Sequence, residues 1–95
     1  MSYELEFLSE AFKEWKALDG SVKKQFKKKL AERFQNPFVP AAKLSGSENR
    51  YKIKLRSVGY RLVYEVIDSE LVVVVIAVGK RENSMVYKKA AGRRR

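Results

Sequence analysis

Basic side chains alternate with apolar ones in the segment Tyr51-Lys52-Ile53-Lys54-Leu55-Arg56. Because successive side chains of a β-strand point to opposite faces, Lys52, Lys54 and Arg56 should lie together on the face away from the core. No Asp or Glu occurs between Tyr51 and Tyr64 to neutralise them. This pattern fits a binding site for a polyanion and fits equally an ordinary solvated sheet face, since one face of an antiparallel sheet commonly meets water.

The residue types present restrict the chemistry that such a surface can perform. The chain has no cysteine and no histidine, which excludes disulfides, thiolate zinc sites, Cys nucleophiles, Ser-His-Asp triads and the His–His acid/base pairs of many ribonucleases. Any catalysis must therefore use Lys, Arg, Tyr or carboxylates. We expect neither a metal ion nor a cofactor.

Length and charge narrow the class of protein. The 95 residues, 45% of them hydrophobic, are enough for one domain (residues 1–95) with one modest core. Lys and Arg number 21 against 11 Asp and Glu, and the resulting net charge of +10 favours nucleic acid, an anionic membrane surface or an acidic protein as partner.

The N-terminus lacks a signal-peptide pattern, and the longest apolar run, Leu71 to Val78, is far shorter than the roughly 20 residues of a membrane span. We expect a cytoplasmic protein without membrane association.

The first third of the chain is predicted to form a strand and two helices. Tyr3, Leu5 and Phe7 alternate with polar residues, as in a short strand. Ser9 is expected to cap a first helix that Asp19-Gly20 ends, and Ser21 to cap a second helix that Asn36-Pro37 ends. The short turn between them predicts an antiparallel helical hairpin.

The rest of the chain is predicted to be mainly strands. After a loop at residues 37–50, the hydrophobic period changes to two, which predicts strands at 51–55, 60–67 and 70–78, followed by a short helix at 83–91. The predicted fold class is α+β: an N-terminal strand, an α-helical hairpin, an antiparallel three-strand meander completing a four-stranded sheet, and a short C-terminal helix. We expect the helices on one face of the sheet.

The turn after Arg56 decides which side chains face each other. A two-residue turn at Ser57-Val58 places Lys54 opposite Arg61 and Ile53 opposite Leu62. A four-residue turn keeps this parity, whereas a three-residue turn breaks it. With either even turn, Lys52, Lys54 and Arg61 share one face.

A second basic segment, Gly79-Lys80-Arg81-Glu82-Asn83-Ser84, follows the last strand, with Tyr87 just beyond it. A loop here can present Arg81 beside the basic sheet face. Taken alone, the segment is better interpreted as a basic turn with Tyr87 as an aromatic residue of the core or of its rim. The lysines at positions 23, 24, 27, 28 and 29 are likewise interpreted as the solvated face of an amphipathic helix.

Together, the two segments resemble the RelE toxins of bacterial toxin–antitoxin systems, within the RelE/ParE superfamily. The resemblance extends over essentially the whole chain. It includes Lys13-Glu14-Trp15, Ala42-Lys43-Leu44 with Gly46, the Tyr51–Arg56 segment, Gly59-Tyr60-Arg61-Leu62-Val63-Tyr64, Val66-Ile67-Asp68, Val78-Gly79-Lys80-Arg81-Glu82, Ser84 and Val86-Tyr87.

The resemblance implies a metal-independent endoribonuclease that enters the ribosomal A site and cleaves the mRNA codon there. The 2′-hydroxyl of the RNA attacks the adjacent phosphate, leaving a cyclic phosphate and a 5′-hydroxyl. The residues that match the family's active positions are Lys52, Lys54, Arg61, Arg81 and Tyr87. Lys43, Arg50, Arg56 and Lys80 are predicted as further RNA contacts.

The chemistry of these residue types agrees with that reaction. Lys54 is our hypothesis for the base, because neighbouring cations should lower its pKa from the ordinary lysine value of about 10.4. Lys52 and Arg61 would hold the scissile phosphate, and Arg81 would shield or protonate the leaving oxygen. Tyr87 would stack on a codon base.

The implied partners are the ribosome, its mRNA and an acidic RelB-like antitoxin. An antitoxin segment is expected either to cover the Lys52/Lys54/Arg61 face or to displace the helix that carries Tyr87. Ser45 and Asn83 stand where the best-known members have arginine, which predicts weaker RNA affinity more than lost chemistry.

Two other functions are compatible with the sequence. One is a gyrase-directed toxin of the same fold, although such toxins lack the Lys-x-Lys, Arg61, Arg81 and Tyr87 set. The other is a basic RNA-binding module with salt-dependent affinity and no cleavage.

Overall fold

The computed structural model describes residues 3–82 and 84–95, and within them the predicted order of elements is confirmed. Asn83, the first residue of the predicted C-terminal helix, lies outside the described residues. The elements are β1 (Glu4–Phe7), α1 (Ser9–Lys16), α2 (Gly20–Gln35), β2 (Arg50–Leu55), β3 (Tyr60–Ile67), β4 (Val72–Lys80) and α3 (Met85–Ala91), with single 3₁₀ turns at Pro40–Ala42 and Asp68–Glu70.

The four strands form one sheet in the order β1-β4-β3-β2. The predicted meander is confirmed, since β2 pairs antiparallel with β3 and β3 antiparallel with β4, while β1 runs parallel to β4. β4 is therefore an interior strand. Its residues Val72 to Val78 are all buried, which explains an uninterrupted apolar run in place of the alternation of a strand with one wet face.

Each face of the sheet has its own apolar core. On one face, Trp15 and Phe26 of the helical hairpin pack with Leu62 and other residues of the strands. On the other face, Val86 and Ala90 of α3 pack against β3 and β4. The expectation that all helices share one face is therefore wrong: α3 lies opposite the hairpin, because β4 has apolar side chains on both faces and both must be covered.

The predicted helix caps are also wrong. Leu8 precedes α1 and Asp19 precedes α2, and neither side chain makes a capping hydrogen bond. Gly20, expected to end the first helix, begins the second. The Leu8 N–H donates to the Val75 carbonyl at 3.1 Å, so docking against β4 fixes where α1 starts.

The last strand begins two residues later than predicted, at Val72, and extends to Lys80. The Asp68–Glu70 turn occupies the preceding residues, and Leu71 after it adopts a left-handed φ of 55°. No helix in the described ranges combines the length and apolarity that crossing a bilayer needs.

Candidate active site

The β2–β3 hairpin aligns the basic residues as the sequence predicts. Lys54 pairs with Arg61 and Ile53 with Leu62. The turn has four residues, from Arg56 to Gly59, which preserves the parity of a two-residue turn. Gly59 takes a φ of 69°, a left-handed conformation that glycine adopts without steric penalty.

Lys52, Lys54 and Arg61 project from the face that α3 covers. Lys52 lies opposite Val63, and Val63 belongs to the core beneath α3. Since side chains two residues apart share a face and directly paired residues do too, Lys54 and Arg61 lie on that face as well.

The loop after β4 brings Arg81 to the same region. Arg61 pairs with Gly79 across the β3–β4 ladder. The Arg81 N–H donates to the Gly59 carbonyl at 2.7 Å, which ties this loop to the β2–β3 turn. The second basic segment therefore lies beside the first.

The short helix α3 closes the site and carries Tyr87, whose side chain is half-buried. The helix approaches the sheet closely at Gly79, where a Cβ would lie only 3.1 Å from Val86 Cγ2. Between α3 and the strands is a cleft of about 140 Å³, hereafter the basic cleft. Its lining residues are Lys54, Arg61, Lys80, Arg81, Ser84, Met85, Val86 and Tyr87.

Four of the five predicted catalytic residues thus surround one cleft. The fifth, Lys52, lines an adjoining cleft of about 760 Å³ between residues 44–50 and α3. Ser84 and Tyr87 border both clefts. The five predicted residues are therefore grouped at one place, and their catalytic roles stay predictions.

The basic cleft carries positive charge only, since its described lining includes four basic residues and no acidic one. The pKa of Lys54 is lowered, chiefly by the positive charge of Lys52, with contributions from desolvation and from Arg56, Arg61 and Arg81. A lowered pKa increases the neutral, proton-accepting fraction of a lysine, which is what a general base requires.

Arg61 is the one buried charged residue of the described core, with 6% of its surface exposed. Its Nη1 donates to the Tyr60 carbonyl at 2.9 Å. Among the described residues no carboxylate lies within ion-pairing distance of it. A buried guanidinium without an anion is unfavourable, so a bound phosphate would supply the missing counter-charge.

Three of the predicted additional RNA contacts have exposed side chains. Lys43 lies in the loop before β2, Arg56 in the hairpin turn, and Lys80 at the end of β4, where it lines the basic cleft. Their contacts with RNA stay predictions.

Arg50, the fourth, is engaged within the protein. Its Nε donates to Glu65 at 2.8 Å, and its two terminal nitrogens donate to the carbonyls of Ala90 and Arg93 at 2.5 and 2.7 Å. An RNA contact would require this guanidinium to leave all three partners. Ser45 is exposed beside the larger cleft, and Asn83 lies outside the described residues.

Sequence reasoning overlooked Met85, which is 47% exposed and lines the basic cleft. It also overlooked the contacts of Glu14 with Arg93, two residues at opposite ends of the chain. Neither has a local signal, because a single methionine or an isolated charged residue is unremarkable in sequence.

Comparison with known proteins identifies the family. A family model described as the ParE toxin of type II toxin–antitoxin system, parDE, matches residues 5–85. The mRNA interferase toxin RelE of Escherichia coli K12 is 55% identical over 93 residues, covering 98% of each chain. The chain therefore belongs to the RelE/ParE family of type II toxin–antitoxin toxins, which confirms the resemblance seen in the sequence.

Solved structures agree with this assignment. A free-state structure of E. coli toxin RelE, with two arginines replaced by alanine, matches with a TM-score of 0.89 at 54% identity, covering 96% of both chains. The same mutant in complex with a peptide of the antitoxin RelB matches with a TM-score of 0.83 at 53% identity, covering 100% of both chains.

Proposed function

We propose that this protein is a ribosome-dependent endoribonuclease that cleaves the mRNA codon in the A site and so inhibits translation. The observation that carries the proposal is the convergence of Lys54, Arg61, Arg81 and Tyr87 on one cleft, whose described lining includes no acidic residue. The relatives named mRNA interferase RelE support it.

The first chemical step is removal of the proton from the 2′-hydroxyl. Lys54 accepts this proton, because its lowered pKa leaves more of the neutral amine at neutral pH than an ordinary lysine has. Lys52 has two roles: its charge is the largest cause of that lower pKa, and its ammonium contacts the phosphate.

The second step is in-line displacement at phosphorus. The 2′-oxygen bonds to phosphorus and the bond to the 5′-oxygen breaks, giving a cyclic phosphate and a 5′-oxygen that takes up a proton from a water molecule. Arg61, with only 6% of its surface exposed, stabilises the charge on the phosphorane, because fixed donors shielded from solvent are most effective there. Arg81 shields the leaving oxygen.

Tyr87 orients the substrate. Tyr87 lines both the basic cleft and the larger cleft, so a base stacked on its ring would place the adjoining phosphate near Arg61. Stacking on aromatic side chains is the usual way that proteins hold unpaired RNA bases.

An acidic antitoxin is the proposed partner of the free toxin. The RelE relative was solved with a peptide of the antitoxin RelB, and the net charge of +10 favours an acidic binding partner.

Toeprinting on ribosomes programmed with a defined mRNA tests the proposal. We expect a new 3′ end within the A-site codon, absent without ribosomes and lost with Lys54→Ala. Lys28→Ala, on the exposed face of α2, is the matched loss of one lysine and should cleave like wild type. A folded, antitoxin-free wild type that leaves the mRNA intact would contradict the proposal and favour the gyrase-directed or RNA-binding alternatives.

A further inference from the structure

Glu14 of α1 contacts the end of the chain through a dense set of hydrogen bonds. It accepts from both terminal nitrogens of Arg93, at 2.8 and 2.9 Å, and from Lys89 at 3.3 Å. It also accepts from the main-chain N–H of Val78 at 3.1 Å. Arg93 in turn donates to the Ile76 carbonyl at 2.9 Å.

These contacts replace a missing strand. β1 pairs with β4 only as far as Val75, so within residues 3–82 and 84–95 the β1 side of β4 has no strand partner beyond that residue. Glu14 accepts a hydrogen bond from the Val78 N–H, and Arg93 donates one to the Ile76 carbonyl. Buried main-chain polar groups without partners are strongly unfavourable, so the Glu14–Arg93 pair completes the edge of β4 while holding the chain end to it.

The pair is well shielded from solvent. The exposed fraction of the side chain is 12% for Arg93 and 19% for Glu14. Burial alone would raise the pKa of Glu14, but the hydrogen bonds from Arg93, Val78 and Lys89 outweigh it and lower that pKa. The pKa of Arg93 is raised, mainly by its hydrogen bonds to Glu14. Both groups are therefore held in their charged forms.

Arg93 lies two residues beyond the end of α3, the helix that carries Tyr87. With seven residues, α3 is too short to be stable by itself, so its position depends on what anchors it. Val86 and Ala90 anchor its apolar side. Arg50 binds the carbonyls of Ala90 and Arg93, and the Glu14–Arg93 pair fixes the chain immediately beyond.

We propose that Glu14 and Arg93 are positioning residues for Tyr87: they hold the C-terminal end of α3 against β4 and so keep the ring at the basic cleft. This inference rests on the proposed function. Neither residue lines either cleft, so their effect on cleavage passes through α3 and not through contact with RNA.

A double-mutant cycle with Tyr87 tests this role. Single-turnover cleavage on programmed ribosomes is measured for Arg93→Ala, Tyr87→Ala and the double variant at saturating toxin. Displacement of a catalytic group by about 1 Å can lower a rate on the order of 100-fold, so we expect Arg93→Ala to lower the maximal rate by about 10- to 100-fold. The toxin concentration for half-maximal rate should change little. In the Tyr87→Ala background, Arg93→Ala should have no further effect.

Two further variants separate positioning from folding. Glu14→Gln keeps an acceptor for the Val78 N–H but loses the nearer of the two carboxylates that pair with Arg93, leaving Glu10 at 3.7 Å, so it should reproduce the rate loss in milder form. Arg95→Ala is the matched control, because Arg95 pairs with Glu6 and Glu70 and should leave the maximal rate unchanged. Urea unfolding of each variant verifies that it is folded.

Hydrogen exchange provides a readout that does not depend on cleavage. Arg93→Ala should accelerate exchange of the α3 amides while those of α2 remain protected. Unchanged α3 exchange, or an equal rate loss with and without Tyr87, would overturn the positioning role. A wild type that does not cleave at all would instead reject the proposed function.

Discussion

The contact between Gly79 and Val86 determines how closely α3 lies on the sheet. A Cβ at position 79 would lie 3.1 Å from Val86 Cγ2, whereas carbon atoms in contact prefer about 3.5–4.0 Å. Gly79 is not among the described glycines with positive φ, so the backbone conformation accepts alanine. Only the approach of α3 opposes Gly79→Ala.

The size of the effect follows from this distance. Either α3 or the Val86 side chain must move by roughly 0.4 to 0.9 Å to restore a normal contact. Overpacking typically costs about 1–3 kcal/mol, and replacing glycine recovers about 0.4–1 kcal/mol by restricting the unfolded chain. We therefore expect Gly79→Ala to lower the free energy of unfolding by about 1–2 kcal/mol.

Cleavage should fall by more than this loss of stability explains. A domain with ordinary stability stays almost entirely folded after losing about 1–2 kcal/mol. The displaced helix, however, carries Tyr87, and a shift of this size should lower the maximal cleavage rate on the order of 10-fold.

Urea unfolding of a double-mutant cycle of Gly79 and Val86 tests whether their steric contact causes the loss of stability. Val86→Ala alone removes two buried methyl groups and should destabilise by about 2 kcal/mol. In that background Cγ2 is gone, so Gly79→Ala should have little further effect. Effects that add to within about 0.5 kcal/mol, or a Gly79→Ala protein as stable as wild type, would refute the reasoning.

Three other predictions concern ionisation and the core. Arg56→Gln removes one of the cations that lower the pKa of Lys54 and leaves the largest cause, Lys52, in place. NMR titration of the Lys54 side chain should show a higher pKa than in wild type. The rise of the cleavage rate with pH should shift to higher pH accordingly. An unchanged titration would contradict this origin of the shift. Tyr64→Phe should lower the free energy of unfolding by about 1–3 kcal/mol, because the buried hydroxyl accepts from Arg33 at 2.9 Å and donates to a main-chain carbonyl at 2.7 Å; a loss below about 0.5 kcal/mol in urea would show that these bonds contribute little. The pKa of Glu14 is lowered in the folded protein, so the stability that its charge contributes is complete above the unfolded pKa of about 4.3 and is lost as the pH falls through the folded pKa. The difference in free energy of unfolding between wild type and Glu14→Gln should therefore shrink in acid. A difference independent of pH would contradict a stabilising role for the Glu14 carboxylate.

Local sequence patterns determined most of the sheet and the orientation of the basic residues. The strict alternation from Tyr51 to Leu55, and an even-numbered turn, were enough to place Lys54 opposite Arg61. The reason is geometric: side chains along a strand alternate between two faces, so parity alone assigns each residue to a face. The sequence also predicted that cationic neighbours lower the pKa of Lys54, and the structure places Lys52, Arg61 and Arg81 where their charges have that effect.

Contacts between elements that are distant in sequence decided the remaining features of the fold and of the site. No local sequence feature of α3 shows whether it lies on the same face of the sheet as α1 and α2 or on the opposite face. The side of the sheet that α3 covers was therefore predicted wrongly. The start of α1 is fixed by the hydrogen bond from Leu8 to Val75 of β4, and neither Ser9 nor Ser21 caps a helix. Arg50 appeared in sequence as one more basic residue, but in the structure it binds the end of α3.

The Glu14–Arg93 pair shows most clearly what only the tertiary structure decides. Its two members are 79 positions apart, and each is an ordinary charged residue in its own segment. They meet because β1 ends before β4 does, leaving main-chain groups at Ile76 and Val78 that require partners. That requirement exists only once the strands are assembled, because hydrogen-bond partners are scarce only where water has been excluded.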